Sequence, residues 1–110
     1  MDDLADQTCK ACHGGESPLT ADQIKPLKIR LHQDWEVVET HHLQRTFKFE
    51  DFVAALDFTT RVGHLAEQEQ HHPDIHLSYG KVTVQIWTHK VSGLSENDFI
   101  LAAKIDRLAT

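Results

Sequence analysis

The hydrophobic residues of this chain change period several times, and each change marks an element. Ile24, Leu27 and Leu31 recur at helical spacing behind Thr20-Ala21-Asp22-Gln23, whose threonine and glutamine have the spacing of a capping box. A helix is expected from there, with Pro26 past the first turn, where it removes a hydrogen bond or kinks the axis. From Trp35 the period falls to two. Trp35, Val37 and Glu39 alternate with Glu36, Val38 and Thr40, and Leu43, Arg45 and Phe47 alternate with Gln44, Thr46 and Lys48. Two antiparallel strands joined near Thr40 to His42 account for this. Asp51 then caps a helix to about Gln70, with Phe52, Leu56, Thr59 and Gly63 on its apolar face, Val53, Thr60 and Leu65 widening it, and Pro73 excluding its continuation. Ile75, Leu77 and Tyr79 alternate with His76 and Ser78, Gly80 turns the chain, and Val82, Val84 and Ile86 alternate with Thr83, Gln85 and Trp87. That is a second hairpin. Ser95-Glu96-Asn97-Asp98 again has capping spacing, ahead of Phe99, Leu101, Ala102 and Ile105 in a closing helix to about Leu108.

The order α-β-β-α-β-β-α predicts an α+β fold: a four-stranded antiparallel sheet with helices packed on one face. A chain of 110 residues, 40% hydrophobic, is the size of one domain with one modest core. That domain is expected over residues 20–110. Residues 1–19, with Gly14-Gly15 and Pro18 and little periodicity, read as a flexible leader. Seventeen acidic against eleven basic residues, net charge −6, argue against a nucleic-acid backbone or an anionic membrane as partner and leave a small neutral or partly anionic ligand open. No apolar run approaches the roughly 18 residues that span a bilayer, and the acidic Met1-Asp2-Asp3-Leu4-Ala5-Asp6 is unlike a signal peptide, so a cytoplasmic location is expected.

Two motifs carry candidate chemistry. Cys9-Lys10-Ala11-Cys12-His13 has the bare pattern of c-type haem attachment, but that attachment takes place outside the cytoplasm, and two cysteines fall short of a closed zinc site. The second motif is Glu67, His71 and His72 before Pro73, with His89 further on. Imidazoles give and take protons near neutral pH, so a cluster of them suits proton transfer. If the long helix persists, Glu67 and His71 are four residues apart on one face, where a carboxylate orients a ring. His72 then points elsewhere. His89 would end the last strand on the face of Gln85 and Trp87, where a helix C-terminus can meet it; Trp87 could stack on a flat ring. Zinc held by His71, His72, His76 and His89 is disfavoured, because adjacent histidines diverge and no H-E-x-x-H spacing is present. His13, His32, His41, His42, His64 and His76 read as surface or structural histidines.

The chain resembles the pterin-4a-carbinolamine dehydratases. The matching residues are Glu67-x-x-x-His71-His72-Pro73, Tyr79, Thr88-His89 and Gly93-Leu94-Ser95-Glu96-Asn97-Asp98, with Trp35 and Phe47-x-Phe49-x-x-Phe52 upstream, over roughly residues 18–108. The resemblance implies dimers or tetramers. It also implies loss of water from 4a-hydroxytetrahydropterin to give quinonoid dihydropterin, which lets an aromatic amino acid hydroxylase reuse its cofactor. No metal or organic cofactor is implied. His71, His72 and His89 would form the site, with His72 as acid or base at the reacting centre, His89 as its complement, His71 as binder and Glu67 as orienting carboxylate. Trp87 and Asp98 are candidate substrate-binding residues, although capping alone accounts for Asp98. Pro26 and Ile75, where some relatives carry an aromatic, depart from the pattern. A different class also stays open, since animal members of the family act as dimerisation partners of a transcription factor: a non-enzymatic interaction module.

Overall fold

The computed structural model describes residues 4–9 and 17–109, with the expected element order. Helix α1 (Ala21–Ile29) opens on the capping box: the Gln23 amide donates to Thr20 Oγ1 and the Thr20 amide to Gln23 Oε1. It runs on through Pro26. Strands β1 (Glu36–Val38) and β2 (His42–Lys48) follow, joined through Glu39 and Thr40, both at positive φ (54° and 59°). Paired left-handed residues give a hairpin turn whose twist matches that of the strands. Helix α2 (Phe52–Glu69), capped by the Asp51 carboxylate on the Ala54 amide, leads to β3 (Asp74–Ser78), β4 (Lys81–Ile86) and α3 (Glu96–Ala109). Gly80 turns the second hairpin at φ 73°, with the Phe49 amide donating to its carbonyl at 2.8 Å. A Cβ there would come within 3.3 Å of the Phe49 carbonyl oxygen.

The four strands form one antiparallel sheet in the order β1-β2-β4-β3. Register puts Leu43 opposite Ile86 and Phe47 opposite Val82, so one face is continuously apolar. The helices cover that face, and Trp35, Phe99, Leu101 and Ile105 fill the space between. Arg45 falls on the same phase. Its guanidinium pairs with Asp106 of α3 at 2.7 Å and lies over the Phe47 ring, while the Trp35 indole N–H also donates to Asp106. Burial nevertheless pushes the Asp106 carboxyl above its ordinary range.

Two expectations need correction. The core face of α2 is Ala55, Phe58, Val62 and Ala66, not the face of Phe52 and Leu56. Phe52, Val53 and Leu56 are exposed. The helix is apolar on two sides, and docking on the sheet decides which side is buried. The segment read as a flexible leader is docked over residues 4–9: Leu4 and Ala5 are buried, and Leu4 belongs to the main core. Cys9 is a free thiol. Cys12 and His13 lie outside the described residues.

Candidate active site

The expected histidines meet where α2 ends. Gln70 takes the left-handed conformation (φ 55°, ψ 38°), the Gln70 amide donates back to the Glu67 carbonyl and the His71 amide to that of Ala66. This is the Schellman arrangement, made here without the usual glycine. It ends helical spacing one residue before His71, and the partners change accordingly. Glu67 pairs with Nε2 of His72, not with His71 as helical spacing predicts. His71 turns inward and donates from Nε2 to Asp98 Oδ1 at 2.5 Å.

Asp98 is fully buried at the third position of α3. Its Oδ2 accepts from the Thr88 hydroxyl at 2.9 Å and from the Ser95 amide at 2.8 Å. Thr88 Oγ1 is also 2.7 Å from Ser95 Oγ, which can donate to it. The carboxylate is thus both a helix cap and the partner of His71, and every polar group around it is paired. The two carboxylate–imidazole pairs differ in setting: the His71 side chain is 13% exposed, whereas those of His72 and Glu67 are 56% and 74% exposed.

His89 does not end the last strand. Strand β4 stops at Ile86; a bridge between Thr88 and Gly93 follows, and His89 opens a short 3-10 turn, His89–Val91. Gly93 is required there, because a Cβ would sit 2.7 Å from the Pro18 side chain. The turn leaves His89 exposed, its ring centroid 4.7 Å from that of Trp87 at an interplanar angle of 33°. His71, His72, Trp87, Thr88 and His89 all line one cleft of about 410 Å³. Glu67 and Asp98 stand behind its imidazoles. A flat bicyclic ring fits such a volume, beside an indole and within reach of several N–H groups.

Other residues were not expected here. Thr88 continues the buried phase of Val82, Val84 and Ile86, so a hydroxyl at that position needs a partner, and this was the available signal. Cys9, Glu69 and Asn97 also line the cleft. His41 and His42, half-buried, place their rings 5.3 and 5.9 Å from Trp87, and their Nδ1 atoms are 3.1 Å apart. Burial first, and His41 second, push the His42 ring below its ordinary pKa. Among the described residues no group of three or more His, Cys, Asp or Glu side chains is arranged to hold a metal ion. No helix among them is long and apolar enough to cross a membrane.

This arrangement has relatives. The family model for Pterin 4 alpha carbinolamine dehydratase matches residues 17–108. A protein of Alkaliphilus metalliredigens named "Putative pterin-4-alpha-carbinolamine dehydratase" is 50% identical over 107 residues, 97% of this chain and 96% of the relative. One of the same name from Rubrobacter xylanophilus is 48% identical over 98% of this chain and all of its own length. Among solved structures, a transcriptional coactivator/pterin dehydratase from Brucella melitensis superposes with a TM-score of 0.79 at 30% identity, covering 86% of this chain and 100% of the other. A pterin dehydratase-like RuBisCO assembly factor of the alpha-carboxysome, 22% identical, shares the fold with a TM-score of 0.61 over 71% of this chain and 92% of its own. The chain belongs to the pterin-4-alpha-carbinolamine dehydratase family.

Proposed function

We propose that this protein dehydrates a 4a-hydroxytetrahydropterin to the quinonoid dihydropterin, returning the spent cofactor of an aromatic amino acid hydroxylase to use. The observation that carries the reading is one cleft lined by three imidazoles, two of them held by carboxylates in opposite settings. In the reaction the C4a–O bond breaks, the hydroxyl leaves as water after gaining a proton, N5 loses its proton and a C4a=N5 double bond forms. One group donates and another accepts, so positioned imidazoles suffice for the proton transfers. His71, anchored on buried Asp98, is suited to hold the ring system. His72, exposed but oriented by Glu67, and His89 beside Trp87 are free to exchange protons with substrate and water. His72 is assigned as acid or base at the reacting centre and His89 as its complement.

Stopped-flow dehydration of a 4a-hydroxytetrahydropterin, generated in situ by a hydroxylase, tests this. His72→Ala and His89→Ala are each expected to lose about 10²–10⁴ in rate, the usual worth of a positioned acid or base. Wild-type rates in both variants would sink the mechanism.

A second reading, an interaction module, is supported by the exposed Phe52, Val53 and Leu56 stripe of α2 and by the coactivator name of the Brucella relative. The stripe is suited to a second copy of this chain, which would make the protein a homo-oligomer. Light scattering tests it: Val53→Glu with Leu56→Glu should reduce the particle mass to that of the monomer. A wild-type monomer would remove the self-association. A stable foreign protein partner together with absent pterin turnover would favour the module over the enzyme.

A further inference from the structure

Glu69 closes α2 two residues before His71, and neither imidazole–carboxylate pair uses it. Its side chain is 9% exposed, and what surrounds it comes from distant parts of the chain. Glu69 Oε1 accepts from the Cys9 amide at 3.0 Å, and Glu69 Oε2 lies 3.8 Å from Lys104 Nζ of α3. The same ammonium donates to the Ala5 carbonyl at 2.9 Å. Cys9 Sγ donates to the Asn97 carbonyl at 3.6 Å, and Asp6 pairs with Arg107 at 2.8 Å. Segment Leu4–Cys9 is therefore tied to the end of α2 and along α3, and Cys9, Glu69 and Asn97 form part of the cleft lining beside His71.

We propose that Glu69 is a positioning residue that holds segment Leu4–Cys9 in place as one wall of the cleft, and so sets how tightly the cleft grips a pterin ring. The ligand in this statement rests on the dehydratase reading; the wall does not. Without the carboxylate, Cys9 loses the acceptor for its amide, and Lys104 loses the charge that keeps it between α2 and the segment. The wall then loosens while His72, His89 and Asp98 keep their own partners. Binding should suffer and chemistry should not. Burial first, and Glu69 second, push the Cys9 thiol up to about 12, so thiol reactivity responds both to the docking and to the carboxylate that holds it.

The test uses the full chain with Cys12→Ser, leaving Cys9 as its only thiol. At pH 8, Cys9 is expected to react with iodoacetamide at least about a hundredfold more slowly in the native protein than in urea, because little thiolate forms. Glu69→Leu should raise that native rate toward the urea value. It should also raise KM about tenfold, the worth of one lost charged hydrogen bond, with kcat little changed. Glu69→Gln, which keeps an acceptor for the Cys9 amide, should restore most of both. Lys104→Met, which removes the ammonium from the Ala5 carbonyl and from Glu69, should raise KM in the same direction by less, and serves if Glu69→Leu fails to fold. Quenching of the intrinsic tryptophan fluorescence by a 7,8-dihydropterin, with Trp87 in the cleft, gives the same ratio as a Kd, so a failure of the dehydratase reading does not hide the result. Unchanged Cys9 protection or unchanged pterin affinity in Glu69→Leu overturns the proposal, as does a fall in kcat at constant KM.

Discussion

Two histidines adjacent in sequence each meet a carboxylate, yet His71 and His72 occupy opposite environments. Asp98 is fully buried and His71 half-buried in a paired network that ties the end of α2 to α3, while His72 and Glu67 stand largely in solvent at the lip of the cleft. The chemistry of the pairs is the same, so the difference lies in what surrounds them. A buried pair resists rearrangement, because breaking it strands a charge away from water. An exposed pair costs little to open and close. The proposed roles follow this contrast, with His71 as the fixture and His72 as the working group.

That contrast can be broken most severely at Asp98. Asp98→Ala removes the acceptor for the His71 ring, the Thr88 hydroxyl and the Ser95 amide at once, and should destabilise the fold by about 3–5 kcal/mol in urea unfolding. If it costs no more than a surface substitution, the buried network is not the anchor described. At the exposed pair the balance should reverse. Glu67→Ala is expected to cost at most about 1 kcal/mol of stability, yet to slow dehydration about tenfold through the lost orienting hydrogen bond. A large loss of stability there would erase the distinction between the pairs.

The smallest expected effect lies at the far side of Trp87. The folded state holds the His42 ring below its ordinary 6.5, so its neutral form contributes stability that is present above pH 6.5 and lost as pH falls through the folded value. The urea midpoint should decline on acidification below pH 6.5, with part of that decline absent in His42→Gln. In an NMR titration, a His42 midpoint at or above 6.5 would contradict the packing of this corner.

Much of the fold was legible because period-two and helical patterns alternate cleanly, and both caps on Thr20 and Asp51 form as their side chains suggest. The buried face of α2 was not, since Phe52 and Leu56 are as apolar as Phe58 and Val62, and only the sheet distinguishes them. Nor does the chain state that β2 and β4 meet at the centre of the sheet. At the site, the residues were identifiable but their pairing was not. Gln70 carries no glycine signal for a left-handed residue, and its conformation diverts His71 from Glu67 to a carboxylate 27 residues away. Asp98 could be explained as a cap, and it is one; its second role depends on a contact between two helices that no local pattern reveals.

The central claim is that His72 moves a proton while His71 holds the ring. Steady-state dehydration kinetics of His71→Gln and His72→Gln, each confirmed as folded, address it directly. The account predicts that His72→Gln lowers kcat at nearly constant KM, and that His71→Gln mainly raises KM. The opposite assignment, or wild-type kinetics in His72→Gln, would contradict it.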